Sequence, residues 1–253
     1  MAVPRKIRTP RARPAEPNEA SMTALHTLKK SLVSAVIACG ALAAALPANA
    51  GTIDWAAWSN PVVGNTTGSA TATFVAAGIT ADYAGELQQY VANYPSYTPG
   101  GTFSGGTVGN APPSANGIIR IFGGTPTGTS TLTFSQAVVN PVLAIWSLGQ
   151  PGNYVAQFNF NQAFTIESGG PNAEYGGASI YAVGNTVYGA EGNGVVQFTG
   201  SFTSISWTNP VAENWYGFTV GVPVVAVPEP ETYALMLAGL AALGFVARRR
   251  KTG

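Results

Sequence analysis

The residues of this sequence that can do chemistry are mainly aromatic. All five tryptophans (Trp55, Trp58, Trp146, Trp207, Trp215) and nine of the ten tyrosines lie between Gly51 and Ala226. A flat ring beside an amide is an arrangement that binds sugar. The ring covers the C–H face of a pyranose while Asn or Gln bonds its hydroxyls. Glu213-Asn214-Trp215-Tyr216 offers such neighbours, as does Trp146 near Gln150 and Asn153. Trp146, Asn214 and Trp215 are therefore the candidate glycan-binding residues. The competing use of a tryptophan is core packing. Trp207 alternates with serines and is expected in the core, whereas Trp215 is out of phase with the apolar face of its strand, which leaves burial and exposure both open.

Catalytic chemistry has fewer candidates. Between Gly51 and Ala226 there is no Cys and no His, since Cys39 and His26 both precede that stretch. Thiolate and imidazole catalysis, disulfides and His-ligated zinc are thereby excluded from the body. Carboxylates remain. A glycosidase needs two of them about 5–9.5 Å apart, and Glu167, Glu174, Glu191 and Glu213 are too scattered in sequence to be paired. They are expected to be solvated and to keep the body soluble. No Asp-x-Asp-x-Asp-Gly loop, phosphate loop or serine triad is present, so no cofactor, metal or catalytic residue is expected, and the protein is read as a non-enzyme.

The chain's net charge of +1 hides a segregation. The body has one basic residue, Arg120, against seven acids (Asp54, Asp82, Glu86, Glu167, Glu174, Glu191, Glu213), a net charge of −6. A single cation cannot neutralise a run of phosphates, which excludes nucleic-acid binding. The remaining basic residues sit in the two ends.

Those ends read as addresses. In 22–50, Lys29 and Lys30 precede the apolar run Ser31–Leu46, and Pro47 then breaks the helix before Ala48-Asn49-Ala50. Small residues at Ala48 and Ala50 place signal-peptidase cleavage before Gly51, after passage through the secretion translocon. Residues 1–21 look like an extension upstream of a start at Met22. At the other end, Val227-Pro228-Glu229-Pro230 is held extended by its prolines. Fifteen residues, Tyr233–Ala247, then form an apolar helix reaching only about 22 Å, against a hydrocarbon core of about 30 Å. Arg248, Arg249, Arg250 and Lys251 follow as a basic stop that holds to the cytoplasmic side. Motif, short apolar helix and basic stop occur here in the order of a signal peptide written backwards.

This tail, with sorting motif Pro228-Glu229-Pro230, resembles the PEP-CTERM sorting signal, also called the ice-binding protein C-terminal domain. The resemblance covers about 26 of the 253 residues. It implies a membrane-embedded, cysteine transpeptidase-like exosortase as partner, a Gram-negative producer of extracellular polysaccharide, and a route in which the protein crosses the inner membrane, is anchored briefly by the helix and is released or displayed outside. The alternative name carries no activity with it: Thr71-Ala72-Thr73 and Thr129–Thr133 are isolated patches without the regular ranks an ice-binding face needs.

The body that must position the aromatics is expected to be all-β. Gln157–Asn161, Tyr216–Val222, Ser204–Thr208 and Leu132–Ser135 alternate apolar and polar residues, as antiparallel strands with one buried face do. Ile180–Tyr188 reads as a hairpin closed on Gly184-Asn185. Tyr83, Leu87, Tyr90, Val91 and Tyr94 carry a helical spacing, so one short helix ending before Pro95 is predicted, and 96–116 reads as a long loop. The expected organisation is an N-terminal extension and signal peptide (1–50), an antiparallel β-sandwich or jelly roll (51–222), and a linker with the sorting signal (223–253). Three functions follow in order: a non-catalytic surface protein associated with extracellular polysaccharide in the biofilm matrix, a lectin-like carbohydrate-binding module, and a carboxylate-dependent glycoside hydrolase.

Overall fold

The structure, a computed structural model, describes residues 50–124, 128–224, 235–241, 243 and 248. The signal-peptide residues up to Ala48, the sorting motif Pro228–Pro230 and Arg249, Arg250 and Lys251 lie outside the described residues. Residues 235–241 are helical. Among the described residues no helix is long and apolar enough to cross a membrane.

The body is built from strands: β1 (Ile53–Trp55), β2 (Ala57–Val62), β3 (Gly64–Phe74), β4 (Ile79–Leu87), β5 (Gln89–Val91), β6 (Ile118–Ile121), β7 (Thr129–Val139) and β8 (Val142–Leu148). There follow β9 (Ala156–Phe160), β10 (Thr165–Gly169), β11 (Ala178–Ser179), β12 (Tyr181–Val183), β13 (Thr186–Gly189), β14 (Gly192–Gln197), β15 (Ser201–Thr208) and β16 (Tyr216–Pro223). They form two sheets. The first runs β10-β14-β8-β16-β6-β5, with β1 beside β16 and β11 beside β14. The second runs β12-β13-β9-β15-β7-β4-β3-β2. The pairings are antiparallel except β11 with β14.

The two sheets share one core, centred on Phe218 of β16. Its ring lies 5.0 Å from Trp207, 5.2 Å from Tyr83, 6.3 Å from Trp58 and 6.3 Å from Phe158, each edge-to-face. Those four rings belong to the second sheet, so Phe218 is where the sheets meet. Such pairs add about 0.5–1.5 kcal/mol each beyond the area they bury. Trp207 is buried, as its alternation with serine requires.

A second apolar cluster covers the outer face of the first sheet. Residues between β5 and β6 (the expected long loop) carry two 3₁₀ turns, Gly100–Thr102 and Ser114–Asn116, and bury Tyr97, Phe103 and Val108 against Trp55, Val142 and Trp146. The first sheet is thus covered on both faces, which is why β8 (VLAIWSL) is buried at every residue and does not alternate. The Ile180–Tyr188 hairpin forms as read: Gly184 takes φ +59° in a two-residue turn between β12 and β13.

The helix expected over Tyr83–Tyr94 does not form. That segment is β4 and β5. Ile79, Ala81 and Tyr83 point inward while Thr80, Asp82 and Ala84 point out, a period of two that the tyrosine spacing concealed. β4 also lies between β3 and β7, and cross-strand packing there overrides a weak local preference.

Candidate functional site

One end of the first sheet gathers the polar chemistry of the body. β8 finishes there, β14 and β16 begin there, and β6 ends there, as the partners Leu148↔Gly192 and Ile121↔Tyr216 show. A cleft of about 180 Å³ opens at this end, lined by Ser147, Gln150, Tyr175, Glu191, Glu213, Asn214 and Trp215. Trp215 is 39 % exposed and braced edge-to-face on Phe122 at 4.6 Å. Of the predicted sugar-binding residues, Trp215 and Asn214 therefore share a cleft, with Gln150 beside them.

Trp146 does not join them as a sugar platform. It is fully buried, because β8 lies under the loop that covers the outer face. Its ring is occupied by the protein itself: the Arg120 guanidinium lies 4.7 Å from its centroid and the Tyr175 ring 5.7 Å away. Trp146 lies outside the cleft lining and touches it only through the Tyr175 ring. Arg120 also lies 5.4 Å from the Tyr94 ring and 6.0 Å from that of Trp215, so the body's one cation is enclosed by three aromatic rings, each an attractive cation–π partner.

The carboxylates that looked scattered are brought together. Glu191 precedes β14 and Glu213 precedes β16, and both face the cleft. Gly149 ties them: its N–H donates to Glu213 Oε2 at 2.9 Å, and its carbonyl accepts the Glu191 N–H at 2.9 Å. Gly149 sits at φ +79°, and a Cβ there would lie 2.0 Å from the Gly189 carbonyl, so only glycine fits. Burial pushes the Glu213 carboxyl up to about 7, against hydrogen bonds from Gly149 and Trp215 N–H groups, with the Glu191 charge adding to the rise. Burial also raises Glu191, while the Ser147 hydroxyl bond opposes it. The expectation of solvated carboxylates is corrected here. Glu86 is likewise buried, accepting the N–H groups of Phe122 and Gly123 at 2.8 and 2.9 Å. Glu167 stands apart: three hydrogen bonds from Thr165 and Thr107 outweigh its partial burial and lower its pKa.

Backbone strain concentrates at the cleft. Ser147 (φ +56°) and Glu191 (φ +62°) both occupy the left-handed region, and the Ser147 hydroxyl donates to the Glu191 carboxylate. Such conformations cost about 1–3 kcal/mol each and persist only where surroundings enforce them. The enforcing residues, Asn193 and Asn172, are buried and were missed from sequence. Asn193 Oδ1 accepts the Ser147 N–H and the Asn172 amide, each at 2.8 Å. Asn172 Oδ1 in turn accepts the N–H groups of Glu174 and Tyr175 at 2.8 and 2.7 Å. This chain of amides fixes the turn that carries Tyr175 over the cleft.

Among the described residues no group of three or more His, Cys, Asp or Glu side chains could hold a metal ion. At the other predicted sites, Gly51 pairs with Val108 in an isolated bridge and its N–H donates to Thr107 at 2.9 Å, while Ala50 is exposed.

Comparison with known proteins found no matching curated protein and no matching solved structure. A family model, the PEP-CTERM protein-sorting motif, matches residues 226–251. These are the residues read as motif, short apolar helix and basic stop, and the match implies export, transient membrane anchoring and processing by an exosortase. The chain carries a PEP-CTERM protein-sorting motif at residues 226–251, which supports a secreted protein sorted by an exosortase.

Proposed function

We propose that the sorted protein is a non-catalytic component of the extracellular polysaccharide layer and that its body, a two-sheet β-sandwich, binds glycan in the cleft beside Trp215. The observation that carries this is the exposed Trp215 ring set among Asn214, Gln150, Glu191 and Glu213 in one concave site. The ring offers the stacking face, and the amides and carboxylates offer partners for hydroxyls. Export through the sorting motif supports this reading, since a glycan ligand outside the cell needs an exported protein.

Glu191 and Glu213 in one cleft also support a second reading, hydrolysis by a carboxyl pair, since a raised carboxyl near neutrality suits a general acid. The binding reading is preferred because both groups are engaged in holding the cleft together, Glu213 by Gly149 and Glu191 by Ser147. The test is co-sedimentation of the protein with polysaccharide from the producing cells. The wild type is expected in the pellet and Trp215→Ala in the supernatant, with no release of reducing ends by either. Equal pelleting of the two proteins contradicts the site. Reducing ends that vanish in Glu213→Gln transfer the assignment to a hydrolase.

A further inference from the structure

Behind the cleft lies a group of polar atoms without partners. Ser96, Tyr97 and Trp146 are almost wholly buried, yet Ser96 Oγ, the Tyr97 hydroxyl and Trp146 Nε1 make no hydrogen bond. Nε and Nη2 of Arg120 and both carboxylate oxygens of Glu174 are buried without partners as well. These seven atoms share one place. Arg120 lies over the Trp146 ring, and Glu174 lies near Arg120, the Trp146 indole N–H and the Ser96 hydroxyl without closing a hydrogen bond of good geometry. Buried polar atoms in proteins are nearly always paired, and leaving one unpaired costs about 1–3 kcal/mol, more for a charge. Glu174, Arg120, Trp146 and Ser96 face one another but leave their hydrogen bonds unclosed, which leaves this group able to take further partners.

The group adjoins the cleft. Tyr175 and Trp215 line the cleft, and the same rings face the group: Tyr175 lies 5.7 Å from Trp146 and Trp215 6.0 Å from Arg120. Tyr175 is 58 % exposed, so the ring between the Trp146 indole and solvent is itself open to a ligand in the cleft.

We infer that a sugar held in the cleft completes this group with its hydroxyls, and that the sugar recognised is uncharged. The inference rests on the glycan-binding reading above. Arg120 can only donate hydrogen bonds, and ionised Glu174 can only accept them. A hydroxyl does both, so one neutral group serves both charges. A uronate carboxylate would suit Arg120 but would stand against Glu174, Glu191 and Glu213. A sugar ammonium would suit Glu174 but would stand against Arg120. Sulfated and uronic polymers are also opposed by the −6 charge of the body as a whole.

The test uses the full chain against immobilised oligosaccharides in three sets. The neutral set holds cellohexaose, laminarihexaose and mannohexaose; the charged sets are hexagalacturonate and fully deacetylated chitohexaose. The tightest neutral ligand is expected to bind at least about tenfold more strongly than either charged set, and Glu174→Gln to weaken it about tenfold, as loss of one charge-assisted hydrogen bond does. The Trp146 indole N–H resonance, assigned by its loss in Trp146→Phe, should shift when that sugar is added. Should Glu174→Gln fail to fold, Arg120→Lys serves in its place, since it keeps the charge but loses the planar fork. Tightest binding by a charged set overturns the inference and leaves the glycan reading standing. So does an affinity unchanged in the variants with an unmoved Trp146 resonance. Binding by no set overturns both.

Discussion

Arg120 reaches Trp146 across a missing side chain. The two residues sit on β6 and β8, and β16 runs between them with Gly217 paired to both. Directly paired residues of neighbouring strands point to the same face, so a side chain at 217 would stand between guanidinium and indole. Gly217 leaves that space open, and the guanidinium lies 4.7 Å from the indole ring.

Gly217→Ala tests this arrangement. The added Cβ would lie 2.7 Å from Ile118 Cδ1 and 2.7 Å from the Ile119 carbonyl. Overpacking of this kind costs about 1–3 kcal/mol, and the Trp146 indole resonance should move as Arg120 is displaced. Denaturant unfolding and the indole N–H spectrum measure the two effects.

Glu213 makes stability depend on pH with an unusual sign. Its carboxyl is raised from 4.5 to about 7 in the folded protein, so the folded state holds a proton that the unfolded chain releases earlier. The stabilisation is complete below about pH 4.5 and is lost as pH rises through about 7. Glu174 and Glu191 shift in the same direction, and Glu167 in the opposite one. Glu213→Gln, which does not titrate, should therefore reduce the fall in melting temperature between pH 4.5 and 7.5. Thermal unfolding across that range measures the slope, and an unchanged slope contradicts the assignment.

Phe218 carries the contact between the sheets, with four edge-to-face partners on the opposite sheet. Phe218→Ala should cost about 3–5 kcal/mol, the range for a buried ring replaced by a cavity. Phe202, half-buried at the core margin, should tolerate the same change better, and chemical denaturation of both variants ranks them.

Much of the sheet architecture was legible because strands with one wet face alternate. Phe158 and Phe160, Leu132 and Phe134, and Ile205 and Trp207 all turned inward as their spacing required. The strands buried on both faces were harder to read: β8 carries no alternation, so nothing in its own residues says that Trp146 lies beneath a loop from 96–117. Tyr83 misled because its neighbours on one face happen to repeat at helical spacing, while its register with Leu132 of β7 is a non-local fact. The cleft was half legible. Trp215 and Asn214 are adjacent in sequence, but Glu191, Ser147 and Tyr175 reach them only through sheet pairing and the Asn172–Asn193 bond. The buried Asn193 gave no local signal at all, since its role is to satisfy backbone groups 46 residues away at Ser147.

Removal of Pro228–Gly253 should change where the protein ends up. Without the residues that match the sorting motif, exosortase processing is lost, and the fractionation and mature mass of the protein should differ from wild type. Unchanged location and an unchanged mature mass by mass spectrometry would contradict sorting through this tail.

The most direct measurement is a calorimetric titration of the protein with extracellular polysaccharide from the cells that make it, repeated with Trp215→Ala. Binding in the cleft predicts saturable heat for the wild type and its loss in the variant, whose unfolding midpoint should shift little because the ring is 39 % exposed. No heat at high concentration, or equal heat from both proteins, would contradict glycan binding beside Trp215.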